Sequence, residues 1–322
     1  MQNLFIERSR TVYNMINDRF KELLWGLRFI NVEDVWEALH IEEISSIKVA
    51  VIDTGIEYDH EDLRNVISEG YNFIDDNKNA YDDCGHGTRV SGIIGAEKNN
   101  GIGICGAAAG VNIVPLKVCS KNGKAKPSNV IKAIEWCIDN KVDVINMSLG
   151  HEQDDSLINY NYPLNSIQER HMIDLALKEK IVIVSSIGNG FGGPMHFPAV
   201  CEGVIPVASY GLNLNPMRLY ISAMNSSFDN RTVFAPGEYI YTTDINNKYT
   251  YDSGSSLACA FVTAAAALMK ARVKEISSFQ LHEIILKTGR KHIIDNKSIS
   301  ILDVGEAFSC LAHTNTGKKS VF

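Results

Sequence analysis

The sequence predicts an α/β protein built on a doubly wound, mostly parallel twisted sheet with helices on both faces. Short apolar runs that stop at turn residues alternate along the chain with stretches of helical periodicity, as in consecutive β-α-β units. The clearest run is residues 48–53, K-V-A-V-I-D, which has the profile of a buried parallel strand and is followed by Thr54 and Gly55. The chain has 322 residues, without an internal repeat or a low-complexity linker, which favours one large domain.

The other elements follow the same alternation. Apolar residues three and four positions apart predict an amphipathic helix within residues 4–24, which Trp25 and Gly26 should end. A second short helix is predicted at residues 32–39, and a long buried helix in the Ala-rich stretch that ends near Lys270. Further strands are predicted at residues 113–118, 143–150, 181–186, 204–208, 232–235 and 239–243, and further helices at 128–140, 164–180 and, as the last one, 278–288.

The composition narrows the class of protein and of partner. A net charge of -7 argues against a nucleic-acid partner, and no apolar run approaches the roughly 18 residues of a membrane span. Charged residues interrupt the first 24 positions, so a secretory signal is not expected. The seven cysteines are scattered and form no C-x-x-C pair, which favours reduced thiols in a cytoplasmic protein over a disulfide framework or a zinc site.

A polar, glycine-bearing turn leads directly into the Ala-rich helix at residues 250–270, T-Y-D-S-G-S-S-L-A-C-A-F-V-T-A-A-A-A-L-M-K. A serine at this position lies where unpaired backbone N–H groups and the positive end of the helix dipole converge. That environment suits a hydroxyl that must form an oxyanion or bind next to one. A serine that only caps the helix would give the same local pattern, so both interpretations stay open here.

Two more polar residues stand at the ends of predicted elements. Asp53 closes the first buried strand, and in open α/β sheets ligands bind outside the carboxyl ends of the strands. An acid in an ordinary Asx-turn is the alternative. His86 lies between Gly85 and Gly87 at the start of a helix of small residues, and its glycine neighbours would let other backbone approach closely.

The order Asp53, His86, Ser256 is that of subtilisin-type serine proteases, and the surrounding residues resemble the motifs of that family. V-A-V-I-D-T-G-I-E-Y-D-H-E-D-L resembles its aspartate motif, G-H-G-T-R-V-S-G its histidine motif, and G-S-S-L-A-C-A its serine motif. W-G-L at 25–27 and A-P-G at 235–237 resemble two further family segments, so the similarity runs from about residue 25 to residue 271. The resemblance implies a subtilisin-like fold and a serine endopeptidase that needs no cofactor.

The resemblance also implies a role for each residue of the site. Ser256, rather than Ser255, aligns with the family nucleophile, because Gly254 and the pair after the serine then fall in register. His86 would be the general base, Asp53 would orient its imidazole, and Asn189 in G-N-G would donate a hydrogen bond to the oxyanion.

The peptide-binding walls are implied in the same way. Ser148, Leu149 and Gly150 would form one wall of the S1 pocket and pair with the substrate backbone. Residues 122–126, which include Gly123, Lys124 and Lys126, would form the other wall near S2 and S4, and Cys84 would face S2. The two lysines favour an acidic or polar substrate residue at P2–P4, whereas the acidic residues at 152, 154 and 155 favour a basic one. The sequence leaves this choice open, and also whether the extra residues between 150 and 189 form a lid or a solvated insertion.

The sequence departs from the family pattern at two positions after the serine, and it matches part of a family calcium site. The family proline four residues after the serine is Ala260 here, and the histidine after it is Phe261, which could alter the entry to the helix. Asp62 and Asn100, with the backbone carbonyls of residues 98, 102 and 104, match a calcium site of the family, and oxygen ligands suit calcium. The position expected to supply one further ligand falls near Lys21, which cannot coordinate a cation.

These features predict an N-terminal helical extension at 1–24, a catalytic domain at 25–312 and a flexible tail at 313–322. Only about 24 residues precede the W-G-L segment, so a large inhibitory pro-domain is not expected. The favoured role is cytoplasmic removal of a leader peptide from a ribosomally made peptide, such as a lantibiotic precursor. General intracellular protein turnover is the alternative, and a silent peptide-binding protein or a hydrolase that uses Cys259 or Cys84 are alternatives of other classes. The expected partner is a peptide or precursor peptide, with neither nucleic acid nor membrane.

Overall fold

The computed structural model describes residues 16–150, 162–214, 217–222, 224–294 and 296–316. Within these ranges, no helix is long and apolar enough to cross a bilayer. The strands are β1 (Lys48–Asp53), β2 (Tyr71–Asn72), β3 (Asn112–Lys117), β4 (Val144–Met147), β5 (Val182–Ser186), β6 (Ile205–Leu214), β7 (Met217–Ile221), β8 (Val233–Pro236), β9 (Ile240–Asp244), β10 (Lys248–Asp252), β11 (Arg290–Ile294) and β12 (Lys297–Ile301). The helices are α1 (Trp25–Phe29), α2 (Glu33–Trp36), α3 (Ile41–Ser45), α4 (His86–Gly95), α5 (Pro127–Asp139), α6 (Tyr162–Lys178), α7 (Ser255–Arg272), α8 (Ser278–Thr288) and α9 (Val304–Thr316), and a 3-10 turn spans Lys21–Leu23.

Ten strands form one sheet in the order β11-β12-β8-β6-β5-β4-β1-β3-β2, with β7 paired to β6. The pairs from β12 through to β2 are parallel, while β7 and β11 join antiparallel to their neighbours. Strand β1 lies between β3 and β4, and its residues from Val49 to Ile52 are fully buried because helices cover both faces of the sheet. The predicted doubly wound α/β fold is therefore confirmed, and β1 carries Asp53 to the carboxyl edge of the sheet's centre.

Helix α7 runs through the core on one face of the sheet and packs against β4, β5, β6 and β8. Its side chains from Leu257 to Lys270 are all buried. Small alanine side chains let this helix lie close to the strands, so its first turn is held firmly at the edge where β1 ends. The N-cap residue is Gly254, so the interpretation of the serine pair as a simple N-cap was wrong.

The predicted helix at 4–24 is not present in the part of it that the structure describes. Residues 16–20 are not helical, and only the short 3-10 turn follows before α1 begins at Trp25, where the helix was expected to end. The cause is hydrogen bonding to residues about eighty positions later in the chain. The side chains of Asn17 and Asp18 accept hydrogen bonds from backbone N–H groups of residues 99–101, and the Phe20 N–H donates to the Gly103 carbonyl. These bonds hold the segment along a loop instead of in a helix.

The chain also continues beyond the helix predicted to be its last. Helix α8 is confirmed at its predicted bounds, but β11 and β12 then form an antiparallel hairpin that extends the sheet beside β8. Helix α9 follows and reaches Thr316, so the tail predicted to start at 313 begins inside a helix. Residues 317–322 lie outside the described part of the chain.

Candidate active site

Asp53 ends β1 with its side chain buried at 1% exposure. Its Oδ1 accepts two hydrogen bonds of 2.7 Å, one from the N–H of Thr54 and one from Nδ1 of His86. The strand thus fixes the carboxylate, and the carboxylate fixes the imidazole ring and the tautomer that has its proton on Nδ1. This leaves Nε2 of His86 as the nitrogen that can accept a proton.

His86 is the first residue of α4, and the sequence around it explains how it reaches Asp53. Gly85 caps the helix with a φ of 98°, a left-handed conformation that glycine adopts without strain. A Cβ added at Gly87 would lie 2.1 Å from the carbonyl oxygen of Gly55, so only glycine lets the turn after β1 come this close. The glycine flanks therefore serve close backbone approach, as predicted.

Several effects on the pKa of His86 oppose one another. Burial lowers the pKa of the imidazole, but the Asp53 carboxylate and its hydrogen bond, with a smaller contribution from Asp252, outweigh burial and the repulsion by Arg89. The net result is a pKa above the ordinary histidine value. A histidine of this kind is a stronger base than one in water and is still accessible, since 28% of its side chain is exposed.

Ser256 lies in the first turn of α7, where its backbone N–H has no partner within the helix. Its Oγ donates to the backbone carbonyl of Ser148 at 3.1 Å. Among the described residues no hydrogen bond joins this Oγ to His86, although both side chains line the same cavity. Contacts between a nucleophile and its base are often long in a free enzyme and shorten when substrate binds.

Asn189 follows β5 and faces the start of α7. Its side-chain carbonyl accepts two bonds of 3.0 Å, from the N–H and from the hydroxyl of Ser255. These bonds orient the amide so that its NH₂ group is the side-chain donor left for another acceptor in the cavity. With the N–H of Ser256, this NH₂ makes a pair of donors suited to a developing negative charge.

The cavity that holds these residues has a volume of about 840 Å³. Ser148, Leu149 and Gly150 line one side of it, as predicted. Gly123, Lys124 and Cys84 also line it. Lys126 is instead the N-cap residue of α5 and is not among the lining residues. The acidic residues at 152, 154 and 155, which belong to the segment predicted as a lid or a solvated insertion, lie outside the described part of the chain.

Three further residues of this region were not predicted. Lys117 lies in register with Asp53 on the neighbouring strand, and its buried ammonium group donates to the Thr54 carbonyl and to Asp83. A lysine within an apolar strand was the available signal. Glu169 and His196 also line the cavity. Their positions depend on how α6 and the loop after β5 pack, which the sequence pattern does not specify.

The Cys259 thiol does not resemble a nucleophile. Burial raises the pKa of Cys259 to about 12, despite hydrogen bonds that act in the opposite direction, so it stays protonated near neutral pH. Its Sγ faces the side-chain carbonyl of Asn146 at 3.4 Å, and the side chain is fully buried. This geometry speaks against the hydrolase that would use Cys259.

Asp62 and Asn100 come together as the calcium hypothesis requires, but their donor set does not fit a cation. The Asp62 carboxylate accepts hydrogen bonds from the N–H of Ile104, the hydroxyl of Tyr249 and the amide NH₂ of Asn100, each at 2.8 Å. The Asn100 carbonyl in turn accepts from the N–H of Ile102. The two side chains expected to bind calcium are thus hydrogen-bonded to protein donors. Among the described residues, no group of three or more His, Cys, Asp or Glu side chains could hold a metal ion.

The chain is similar to known proteins along most of its length. The subtilase family, Peptidase_S8, matches residues 45–305. The chain is 32% identical over 280 residues to the minor extracellular protease Epr of Bacillus subtilis, covering 87% of this chain and 39% of that protein. It is 33% identical over 266 residues to a thermostable alkaline protease of Halalkalibacterium halodurans, covering 82% and 67%. It is 33% identical over 248 residues to subtilisin DY of Bacillus licheniformis, covering 76% and 84%.

The fold has a counterpart among solved structures. A crystal structure of a cold-adapted subtilisin-like serine proteinase superposes with a TM-score of 0.69 at 24% identity, covering 81% of this chain and 90% of the other. That likeness concerns the fold, while the family match spans most of the chain. The chain therefore belongs to the subtilase family of subtilisin-like serine proteases.

Proposed function

We propose that this protein cleaves peptide bonds through a triad of Asp53, His86 and Ser256 and an acyl-enzyme intermediate. The observation that carries the proposal is the 2.7 Å bond from His86 Nδ1 to Asp53 in the cavity that also holds the Ser256 hydroxyl. A carboxylate, an oriented imidazole and a hydroxyl at a helix start are the three groups that acyl transfer by a serine requires.

The chemical steps follow from these positions. When a peptide carbonyl enters the cavity, the Ser256 side chain rotates from the Ser148 carbonyl towards Nε2 of His86 and gives up its proton as Oγ attacks. The resulting oxyanion is stabilised by the N–H of Ser256 and the NH₂ of Asn189. His86 then passes the proton to the amine as the C–N bond breaks, which leaves the acyl group on Ser256 Oγ. A water molecule next attacks the acyl carbon and gives its proton to His86, which returns the proton to Ser256 Oγ as the acid leaves. Asp53 stabilises the imidazolium throughout.

We further propose that the natural substrate is a precursor peptide that is cut at one site in the cytoplasm. A selective protease needs a cleft lined by specific groups, and this cleft is lined by the buried acidic residue Glu169 and by Lys121 and Lys124. All seven cysteines are free thiols, which is typical of a reducing compartment. General protein turnover remains the competing role for the same chemistry.

A fluorophosphonate probe tests the chemistry, because it reacts only with an activated serine. We expect one label per chain at Ser256, no label in Ser256→Ala, and unchanged labelling in Cys259→Ala. A folded protein that binds peptides but takes no label would instead be a silent peptide-binding protein.

Mass spectrometry of cleavage products tests the role. A leader peptidase should cut a matching precursor peptide at a single bond and leave an unfolded protein such as casein nearly intact. Many cuts in casein at varied positions would support protein turnover instead.

A further inference from the structure

The proposed base and the proposed nucleophile lie on two different helices, and among the described residues no hydrogen bond joins their side chains. Apolar packing of α4 against α7 brings the two helices together. His86 and Ser256 are themselves only partly buried, in the first turn of each helix. Acyl transfer needs such groups to be held within about 0.5 Å of their reacting positions. A polar contact that connects the two first turns would serve this purpose.

Arg89 makes a contact of this kind. It lies one helical turn after His86 on α4, and its guanidinium group meets two carboxylates of the β9–β10 hairpin. Its Nη1 donates to Oδ1 of Asp244 at 2.7 Å, and its Nε lies 3.0 Å from Oδ2 of Asp252. Since two different nitrogens of one planar group face two carboxylates, the arginine is fixed in orientation and ties the histidine helix to both strands of the hairpin.

The Asp252 carboxylate continues this connection to the turn that precedes Ser256. Its Oδ1 accepts a hydrogen bond of 2.8 Å from the N–H of Ser253, while its Oδ2 faces Arg89. Ser253 directly precedes the N-cap residue of α7, in whose first turn Ser256 lies. One ion pair therefore connects the turn of the base with the turn of the nucleophile.

The pair of Arg89 and Asp244 also packs on the residue before His86. A Cβ added at Gly85 would lie 2.7 Å from Oδ1 of Asp244 and 3.1 Å from Nη1 of Arg89. The Thr242 hydroxyl donates to the backbone carbonyl of Arg89 at 2.7 Å, which is a second link between β9 and α4. The start of the histidine helix is thus held against the hairpin that leads to the nucleophile.

The stability of the helix or of the fold does not explain an arginine at this position. A cation near the N-terminus of a helix is opposed by the helix dipole, so Arg89 is stabilised by its two carboxylates rather than by α4. The three side chains are partly exposed, at 21% for Arg89, 23% for Asp244 and 34% for Asp252. Ion pairs at such exposed sites contribute little to unfolding free energy. Their fixed geometry is therefore the more important property.

We propose that Arg89 is a positioning residue for peptide cleavage, which acts through Asp252 to hold the turn of Ser256 in place relative to His86. The inference rests on the proposed triad chemistry and adds a residue that acts on the two turns rather than on the peptide. A looser arrangement of base and nucleophile lowers kcat, whereas peptide binding along residues 148–150 does not depend on it, so KM should change little.

A double-mutant cycle of Arg89→Met, Asp252→Asn and the double variant tests the proposal on the intact protein. Steady-state cleavage of a fluorogenic peptide is measured well above the acidic limb of the pH profile, so that a change in the His86 pKa does not contribute. We expect each single substitution to lower kcat about tenfold, with KM within about twofold of the wild type. The double variant should also lose about tenfold, because both changes break one link. Losses that multiply to about a hundredfold would refute the link.

The conservative variant and a matched control separate positioning from general destabilisation. Arg89→Lys keeps the charge but lacks the planar fork, so its kcat should lie between those of Arg89→Met and the wild type. Arg231→Met removes a comparable Arg–Asp pair, 2.8 Å from Asp229, at a residue that does not line the cavity, and should leave kcat unchanged. A loss of kcat that follows the melting temperature in all variants, including Arg231→Met, would refute the positioning role.

The remaining outcomes distinguish this role from the chemistry on which it rests. If Arg89→Met does not fold, Arg89→Lys and Asp252→Asn decide, and a wild-type kcat in both would refute the role. Wild-type cleavage with unchanged kcat in all Arg89 and Asp252 variants would refute the role and leave the protease assignment standing. Absence of cleavage and of fluorophosphonate labelling in the wild type would refute both.

Discussion

Ser148 and Ser256 are joined by two hydrogen bonds that run in opposite directions. The Ser256 hydroxyl donates to the carbonyl of Ser148 at 3.1 Å, and the Ser148 hydroxyl donates to the carbonyl of Ser256 at 3.0 Å. The Ser148 hydroxyl also accepts from the amide of Asn146, so it connects the residues at the end of β4 to the first turn of α7. The segment proposed to bind substrate and the proposed nucleophile are thus held next to each other.

Ser148→Ala should disturb both stability and catalysis. The substitution leaves the buried Asn146 NH₂ without its acceptor, which typically costs about 1–3 kcal/mol of unfolding free energy. We expect kcat to fall about tenfold, since a loss of 1.4 kcal/mol of transition-state stabilisation has this effect. Chemical denaturation and steady-state kinetics measure the two changes. Unaltered kcat in a folded variant would show that the link between the serines does not position the nucleophile.

The pH dependence of kcat/KM should reflect the raised pKa of His86. Because the imidazole must be neutral to act as a base, kcat/KM should decline as pH falls through a pKa above the ordinary value of about 6.5. Asp53→Asn should move this limb to lower pH and reduce kcat by about 10⁴-fold.

Protonated His86 also stabilises the fold. This contribution is complete below the unfolded-state pKa and is lost as pH rises through the folded-state pKa, so it should disappear from the unfolding curve of Asp53→Asn.

Asn189→Ala should affect the transition state more than substrate binding. Removing one side-chain donor from such a site reduces kcat by about 10²- to 10³-fold, and we expect KM to change little. The variant also loses the acceptor for the two Ser255 groups, so the melting temperature must be compared. A large rise in KM at constant kcat would mean that Asn189 binds ground-state peptide instead.

His196 should limit the size of the residue that the pocket accepts. A Cβ added at Gly188 would lie 2.3 Å from Nδ1 of His196, and one added at Gly150 would lie 3.0 Å from its Cβ, so the ring occupies space between these two glycines. His196→Ala should raise kcat/KM for a P1 phenylalanine relative to alanine by about tenfold. The exposed His292 provides the control, since its replacement by alanine should leave the ratio unchanged.

The loop at residues 98–104 should be stable without calcium. Asp18 accepts hydrogen bonds from the N–H groups of Asn99 and Asn100, at 3.0 and 3.1 Å, while Tyr249 and Ile104 satisfy Asp62. Calorimetry should therefore give the same melting temperature with EDTA and with millimolar calcium. Asp18→Ala should lose about 1.5–3 kcal/mol of unfolding free energy, because two partly buried backbone donors lose a charged acceptor. A calcium-dependent rise of several degrees in the wild type would contradict this.

The sequence predicted those features that depend on short-range patterns. An apolar run closed by an acid located Asp53 within β1, and the glycines around His86 indicated close backbone approach. Such patterns record the burial and backbone conformation of each residue's own segment. The hairpin of β11 and β12 also has a local signal, which is the asparagine at position 296. Asn296 adopts a φ of 61°, a left-handed conformation that asparagine tolerates in turns.

The features that could not be predicted depend on partners far away in the chain. The helical periodicity of residues 4–24 gave no sign that Asp18 would accept hydrogen bonds from N–H groups about eighty residues later. The hydroxyl partner of Ser256 is the carbonyl of Ser148, and Glu169 lines the cleft only because α6 packs as it does. Local propensity is readily overridden by such tertiary contacts.

The placement of Asp53 and Ser256 about two hundred residues apart has a consequence for synthesis on the ribosome. Strand β1 emerges first, and α7, which supplies the hydroxyl and packs against β4, β5, β6 and β8, follows about two hundred residues later. A nascent chain that lacks α7 has neither the nucleophile nor the filling for one face of the sheet. Peptide cleavage should therefore arise only after α7 has left the ribosome and the sheet has packed against this helix.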